Sequence, residues 1–232
     1  MDIYKTFDIL TDYTTPYGEE SYISDYISDI NKDVCNNYFI TIGSPNIMYC
    51  CHLDNFCNKK EKVTKKYNDG IISTDGSTIL GADDKAGVSL MLNMIDNNIE
   101  GLYYFFIGEE KGCIGSTHIS YYFDMLPQFN NIIHCISFDR NGTTDIITAQ
   151  NGIRCCSNLF ANTIKKNLSN YGLSLDLNDN GKWSDSASFI GLIPECMNIS
   201  VGYYNNHTSK EYQDMNHLKQ LSDAFININW KF

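Results

Sequence analysis

The chain has 232 residues, a length that suits one large α/β domain or at most two small ones and lets a core form without disulfide or metal staples. A net charge of −11 argues against nucleic acid and anionic membrane surfaces as partners, and the ordinary apolar and charged fractions argue against global disorder. No apolar run approaches the length of a bilayer span.

From the N-terminus, Met1 to Leu10 mixes Asp and Lys with apolar residues and lacks a basic region followed by an apolar stretch, so no signal peptide is expected. Two helical patterns follow, over 3–13 and 19–30, separated by Thr15-Pro16-Tyr17-Gly18. Continuous apolar runs then predict buried strands at 46–51, 102–107, 132–138 and 197–203. Helices are expected between and after them, at 86–95, 115–123, 153–171 and 215–228. Strand alternating with helix predicts a three-layer α/β/α fold around a mostly parallel, mixed sheet. The polar stretch 58–76 breaks the rhythm and reads as a projecting loop or hairpin, not a domain, so 1–232 is expected to be a single catalytic domain. Its lysines, Lys59 to Lys66, read as a solvated charged loop. Nine cysteines form no C-x-x-C pair, and several sit in apolar runs as small hydrophobes. That usage points to a reducing compartment, the cytoplasm, with no disulfide framework.

The acids and histidines fall where such a fold concentrates chemistry. His52-Leu53-Asp54, Glu109-Glu110, Asp139-Arg140 and Asn206-His207 each follow a predicted strand, and Asp83-Asp84-Lys85 opens a helix. In a parallel sheet those strand ends share one edge, where open α/β sheets bind ligands. Taken singly, His52 reads as a core histidine, Asp83 and Asp84 as helix caps, and Glu109-Glu110 as a solvated pair. Together, so many carboxylates in one crevice need cations, and histidines among them suit zinc. Two histidines with three or more acids exceed one tetrahedral ion and match two ions sharing a carboxylate.

These motifs resemble the co-catalytic zinc exopeptidases, the superfamily of leucyl aminopeptidase, tripeptidase T and acetylornithine deacetylase. The stretches that carry the resemblance are C-H-L-D at 51–54, L-G-A-D-D-K-A-G at 80–87, I-G-E-E-K-G at 107–112, S-F-D-R-N-G at 137–142 and V-G-Y-Y-N-N-H-T at 201–208, in family order. The resemblance implies the phosphorylase/hydrolase-like architecture of that superfamily and two Zn2+ ions, or Co2+ or Mn2+ on the same ligands. It implies that Asp83 bridges the metals, that His52 and Asp139 complete one site, and that Glu110 and His207 complete the other. Asp54 would hydrogen-bond the ring of His52. Glu109 would be the general base, taking a proton from a metal-bridging hydroxide precursor and passing it to the departing amine. Tyr203 or Tyr204 would supply an oxyanion donor, and Asp185, in W-S-D-S-A-S-F at 183–189, would lie near the substrate.

Only 31 positions separate His52 from Asp83 and 68 separate Asp139 from His207, so neither gap holds the lid domain of many relatives. Since the resembled family tends to carry Asp at the third ligand in aminopeptidases and Glu in carboxypeptidases and deacetylases, the resemblance at Asp139 implies an aminopeptidase on short peptides over a carboxypeptidase, deacylase or γ-glutamyl hydrolase acting on another acyl-amine. An interaction protein on the same fold is the remaining reading. Three other patterns are set aside. Asp176 to Gly181 opens like a calcium loop, but Ala187 stands where a bidentate glutamate is needed. The Gly76/Gly81 spacing lacks the phosphate-loop lysine. His118, His134 and His217 read as structural or surface residues.

Overall fold

A computed structural model describes residues 2–228 and 230. The expected span 1–232 includes Met1, Asn229, Lys231 and Phe232, which lie outside the described residues. The elements in chain order are α1 (Ile3–Leu10), β1 (Asn31–Lys32), β2 (Tyr38–Ile42), β3 (Ile47–His52), β4 (Lys65–Asn68), β5 (Ile71–Thr74), α2 (Ala82–Asp96), β6 (Gly101–Phe106), α3 (Ile114–Ser120), β7 (His134–Arg140), β8 (Asp145–Ile147), β9 (Ala149–Gln150), β10 (Ile153–Arg154), α4 (Asn158–Ser169), β11 (Asp176–Asn178), β12 (Glu195–Ser200), β13 (Tyr203–Tyr204), β14 (Tyr212–Asp214) and α5 (Met215–Asn227).

The central sheet has eight strands in the order β1-β2-β6-β3-β7-β12-β8-β11. Its middle strands β6, β3, β7 and β12 are mutually parallel, while β2 and β8 run antiparallel to their inner neighbours. The expected mostly parallel, mixed sheet is therefore present. Alternate residues feed two cores, which explains the unbroken apolar runs. Tyr49, Cys51, Tyr103, Phe105, Ile136 and Phe138 face a cluster containing residues of α1, α2, α4 and α5. Met48, Cys50, Leu102, Tyr104, Phe106 and Cys135 face a second cluster with Ile119 of α3, Phe129 and Phe189. All nine cysteines are free, and seven are buried. No described helix is long and apolar enough to cross a membrane.

Two expectations change, and the expected hairpin gains partners. The 19–30 helix is realised as a short 3-10 helix, Glu20–Asp25. Its Ser, Asp and β-branched residues are poor helix formers, and Ser and Asp side chains compete for backbone groups. The helix expected over 153–171 begins only at Asn158, where the Ser157 hydroxyl accepts from the Phe160 amide as a cap. Ile153–Arg154 instead pair back on Ala149–Gln150. Within 58–76, β4 and β5 form an antiparallel hairpin that does not stand alone. It joins β14 and β13 in a four-stranded sheet.

Candidate metal centre

The carboxyl ends of the parallel strands bring the predicted residues together. His52 closes β3, Asp139 sits one residue before the end of β7, and Glu109-Glu110 form a 3-10 turn just after β6. His207 follows β13 with a φ of +64°, and Asp83 lies at the start of α2, where the Asp83–Asp84 peptide is cis.

His52 Nδ1 donates to the backbone carbonyl of Asp54 at 2.9 Å. That leaves Nε2 facing Asp83 Oδ1 at 3.0 Å and Asp139 Oδ1 at 3.6 Å. His207 Nε2 lies 3.1 Å from Asp83 Oδ2 and 2.8 Å from Glu110 Oε1. Three ligand groups emerge, His52–Asp83–Asp139, Asp83–Glu110–His207 and His52–Glu109–Glu110, each with its donor atoms within 4.8 Å of one another. Asp83 belongs to the first two, offering one oxygen to each histidine.

The electrostatics favour cations at this point. In the neutral tautomer set by Asp54, the lone pair of His52 Nε2 points at two carboxylates, which is repulsive unless a proton or a cation stands between. Glu110 Oε1 is buried, and its 2.8 Å approach to His207 Nε2 is an ion-pair contact that lacks hydrogen-bond geometry. Burial disfavours charge on His52, yet Asp139, Asp54 and Asp83 hold its pKa well above the ordinary value. Asp83 and Glu110 push His207 up to about 10. Burial is outweighed at Asp83, where His207 and His52 hold the carboxyl well below the usual range. Burial raises Asp139 to about 6 and Glu109 to about 9, with Asp139, Asp185 and Asp83 adding to the effect on Glu109. Histidine and carboxylate donors in two groups with a shared acid suit borderline divalent ions such as zinc.

A ring of backbone supports holds these groups. The Asp54 carboxylate accepts from the amides of Glu109 at 3.0 Å and Glu110 at 3.2 Å. This corrects the expectation that the carboxylate holds the imidazole. The carboxylate lies 3.6 Å from Nδ1, both its oxygens are engaged by amides, and the ring is fixed by the carbonyl instead. Glu211, 1% exposed, accepts from the Gly81 amide at 2.7 Å and the Asp83 amide at 3.0 Å. Asn55 Nδ2 donates to the Asp83 carbonyl at 2.7 Å, and Asn206 Nδ2 donates to Asp83 Oδ2 at 2.7 Å. Asn198 pairs with both the amide and the carbonyl of Asp139.

The sequence reading missed Glu211, Asn55, Asn206 and Asn198 as supports. Asn198 carried a signal, since a lone amide in an apolar strand must find partners. Glu211 carried none, because its partners are 128 and 130 positions away.

A cavity of about 350 Å³ opens beside the two groups, lined in part by Asp83, Glu109, Asp139 and His207. The three residues proposed to meet substrate are placed differently from one another. Tyr203 lines the cavity, and its hydroxyl donates to Asp139 Oδ1 at 3.0 Å. Tyr204 does not line it; the pleat turns its ring onto Tyr212, and its hydroxyl meets Thr143 at 3.0 Å. Asp185 is 1% exposed and also lies off the lining, because the 3-10 helix Asp185–Phe189 turns it into the protein while Trp183 and Ser184 face the cavity.

No family model matches the chain. The uncharacterized protein YqjE of Bacillus subtilis (strain 168) is 52% identical over 54 residues, a stretch spanning 20% of this chain and 15% of that protein. Solved structures match far more of the chain at lower identity. Aminopeptidase PepT from Bacillus cereus ATCC 10987 superposes with a TM-score of 0.79 at 15% identity, over 97% of this chain and 96% of that one. A tripeptidase from Staphylococcus aureus subsp. aureus Mu50 gives 0.76 at 16% identity, over 97% and 96%. The Pyrococcus horikoshii TET1 peptidase gives 0.71 at 14% identity, over all of both chains. At these identities the likeness establishes a shared fold.

Proposed function

We propose that this protein is a metal-dependent peptidase that hydrolyses an amide bond of short peptides, acting as an aminopeptidase with two zinc ions. The observation that carries the reading is the pair of ligand groups joined through Asp83, with Glu109 beside them on the cavity wall. The fold shared with aminopeptidase PepT and the tripeptidase supports it. His52, Asp83 and Asp139 would hold one ion, and Asp83, Glu110 and His207 the other. Two divalent cations there supply Lewis acidity, making water ionise near neutral pH and polarising an amide carbonyl.

The chain's own residues do the rest. Glu109, half-buried and hydrogen-bonded through its amide to Asp54, accepts a proton from the attacking water and returns it to the leaving amine. A base here must be basic enough to take that proton and still be ionised at the working pH; burial raises Glu109, and two cations beside it would pull its pKa back down toward neutrality. The Tyr203 hydroxyl is committed to Asp139, so it orients a ligand carboxylate and is not a free oxyanion donor. The mostly buried, unbridged cysteines suit work in a reducing compartment such as the cytoplasm.

The test is to load purified protein with zinc and compare aminoacyl-anilides with N-acylated peptides, using a chelator as control. Turnover of unblocked substrates that the chelator abolishes is expected. Turnover confined to blocked substrates would remove the aminopeptidase assignment and favour a carboxypeptidase or deacylase. Glu109→Gln should keep both metals by elemental analysis and lose activity by about 10²–10⁴-fold. A near-normal kcat in that variant would overturn the assigned base.

A further inference from the structure

The cavity lining contains cationic chemistry that the hydrolytic centre does not use. Its acids are Asp83, Glu109 and Asp139, all assigned above, and its cations are Arg140 and Lys182. Arg140 is committed: Nε and Nη2 donate to Asp145 Oδ2 at 3.0 and 2.7 Å. Lys182 is exposed and has no carboxylate partner among the described residues.

Lys182 is not on a loose loop. The Gly181 amide donates to the Ala149 carbonyl at 3.1 Å, and the Gly181 carbonyl accepts from Asn151 at 2.9 Å. A Cβ at Gly181 would come within 2.3 Å of Ile147 Cγ2 and 2.7 Å of the Ala149 carbonyl, so the backbone there is pressed against its neighbours. Three residues past Gly181, the amide and hydroxyl of Ser184 both donate to Gln150 Oε1, at 3.1 and 2.9 Å. Lys182 and Trp183 are thus two exposed residues held between two buried anchors, both on the cavity wall. An exposed ammonium and an exposed indole on the wall of one cavity, with no acid paired to that ammonium among the described residues, can receive an anionic group next to an apolar one.

We propose that Lys182 is a specificity-determining residue that binds a carboxylate of the substrate, with Trp183 as its apolar neighbour. The inference rests on the peptidase reading for the identity of the scissile bond. The carboxylate is either the C-terminus of a short peptide or an acidic side chain, and paired probes separate the two.

Binding is measured by calorimetry on the zinc-loaded Glu109→Gln protein, in which turnover is suppressed. One probe pair is trialanine and trialanine amide; the other is Glu-Ala amide and Gln-Ala amide. The carboxylate-bearing member of at least one pair should bind about tenfold or more tightly than its neutral partner. Preference within the first pair assigns the C-terminus, and within the second the side chain. Lys182→Met should abolish the preference and Lys182→Arg should keep it. Equal binding of both members in both pairs, no binding of any probe, or a preference that survives Lys182→Met would each overturn the proposal. Absence of hydrolysis by the zinc-loaded wild type, with the preference intact, would sink the peptidase reading alone. Hydrolysis without any preference would sink the Lys182 assignment alone.

Discussion

Asp54 holds two things at once, and the two can be separated. Its carbonyl sets the tautomer of His52, while its carboxylate gathers the amides of Glu109 and Glu110. Replacing Asp54 with Ala keeps the carbonyl and removes the carboxylate. The 3-10 turn that carries Glu109 and Glu110 then loses its anchor, with His52 still oriented. Zinc affinity should fall by about 10–100-fold, the range for loss of a group that orients metal ligands. Competition titration against a chromogenic chelator measures it, and unchanged affinity would show that the turn is held by other contacts. This residue also marks what the sequence could convey. The spacing H-x-D announced that Asp54 serves His52, but which atom serves it depends on a backbone carbonyl, and no side-chain pattern encodes that. The candidate ligands His52, Asp83, Glu110 and Asp139 were legible because each stands at or close to the end of an apolar strand or at a helix start, whereas His207, three residues past β13, was reached through the V-G-Y-Y-N-N-H-T resemblance. Asn55, Asn206 and Glu211 stand in polar loops, where nothing distinguishes a buried hydrogen-bond donor or acceptor from a solvated one.

At the scale of elements, α2 is the piece on which the site depends. It is buried almost throughout, packs on β3 and β7, and carries in its first turn Asp83, whose two carboxylate oxygens face His52 and His207. Gly87 lets it approach the sheet. A Cβ there would meet the Phe138 carbonyl at 2.3 Å and the Asp84 carboxylate oxygens at 2.7 Å. Gly87→Ala should therefore destabilise the fold by about 1–3 kcal/mol, as overpacking does, despite the better helix propensity of alanine. Chemical denaturation reads the loss, and a neutral or stabilising effect would mean that α2 can lift away from β7. The strands of the parallel core were readable because burial on both faces leaves an unbroken apolar run. The 19–30 segment was misread for the complementary reason. Its apolar residues at Tyr22, Ile23, Tyr26, Ile27 and Ile30 have helical spacing, yet the residues between them favour turns. Tertiary partners settle the matter, since Tyr22 packs under the ammonium of Lys85 at 3.7 Å from its ring centroid. The β4–β5 hairpin was recognised as an interruption, but its pairing with β14, some 140 positions later, left no local trace.

For the molecule as a whole, the candidate centre concentrates negative charge in a chain that is already strongly acidic. Without metal, protons on His52 and His207 offset part of that charge. Both rings have pKa values above their ordinary one, His207 at about 10. The stability they contribute to the metal-free protein is fully present below about pH 6.5, the ordinary histidine value, and is lost as pH rises through the raised values. Metal binding requires both rings neutral, so it releases their protons and strengthens as pH rises. The two trends act in the same direction on the difference between loaded and metal-free protein. Zinc at one fixed concentration, about 100 times its dissociation constant at pH 8, should stabilise by about 2.7 kcal/mol there, or roughly 5–11 °C in Tm for a chain of this size. That gap should be small at pH 6 and wide at pH 8, because the metal-free Tm falls while the affinity climbs. Differential scanning calorimetry with zinc or with chelator, at both pH values, measures it. His207→Gln removes one titrating ligand and should shrink the gap at pH 8 while flattening its dependence on pH. A gap that is constant or narrows toward pH 8 in the wild type would mean that the two histidines do not bind the metal.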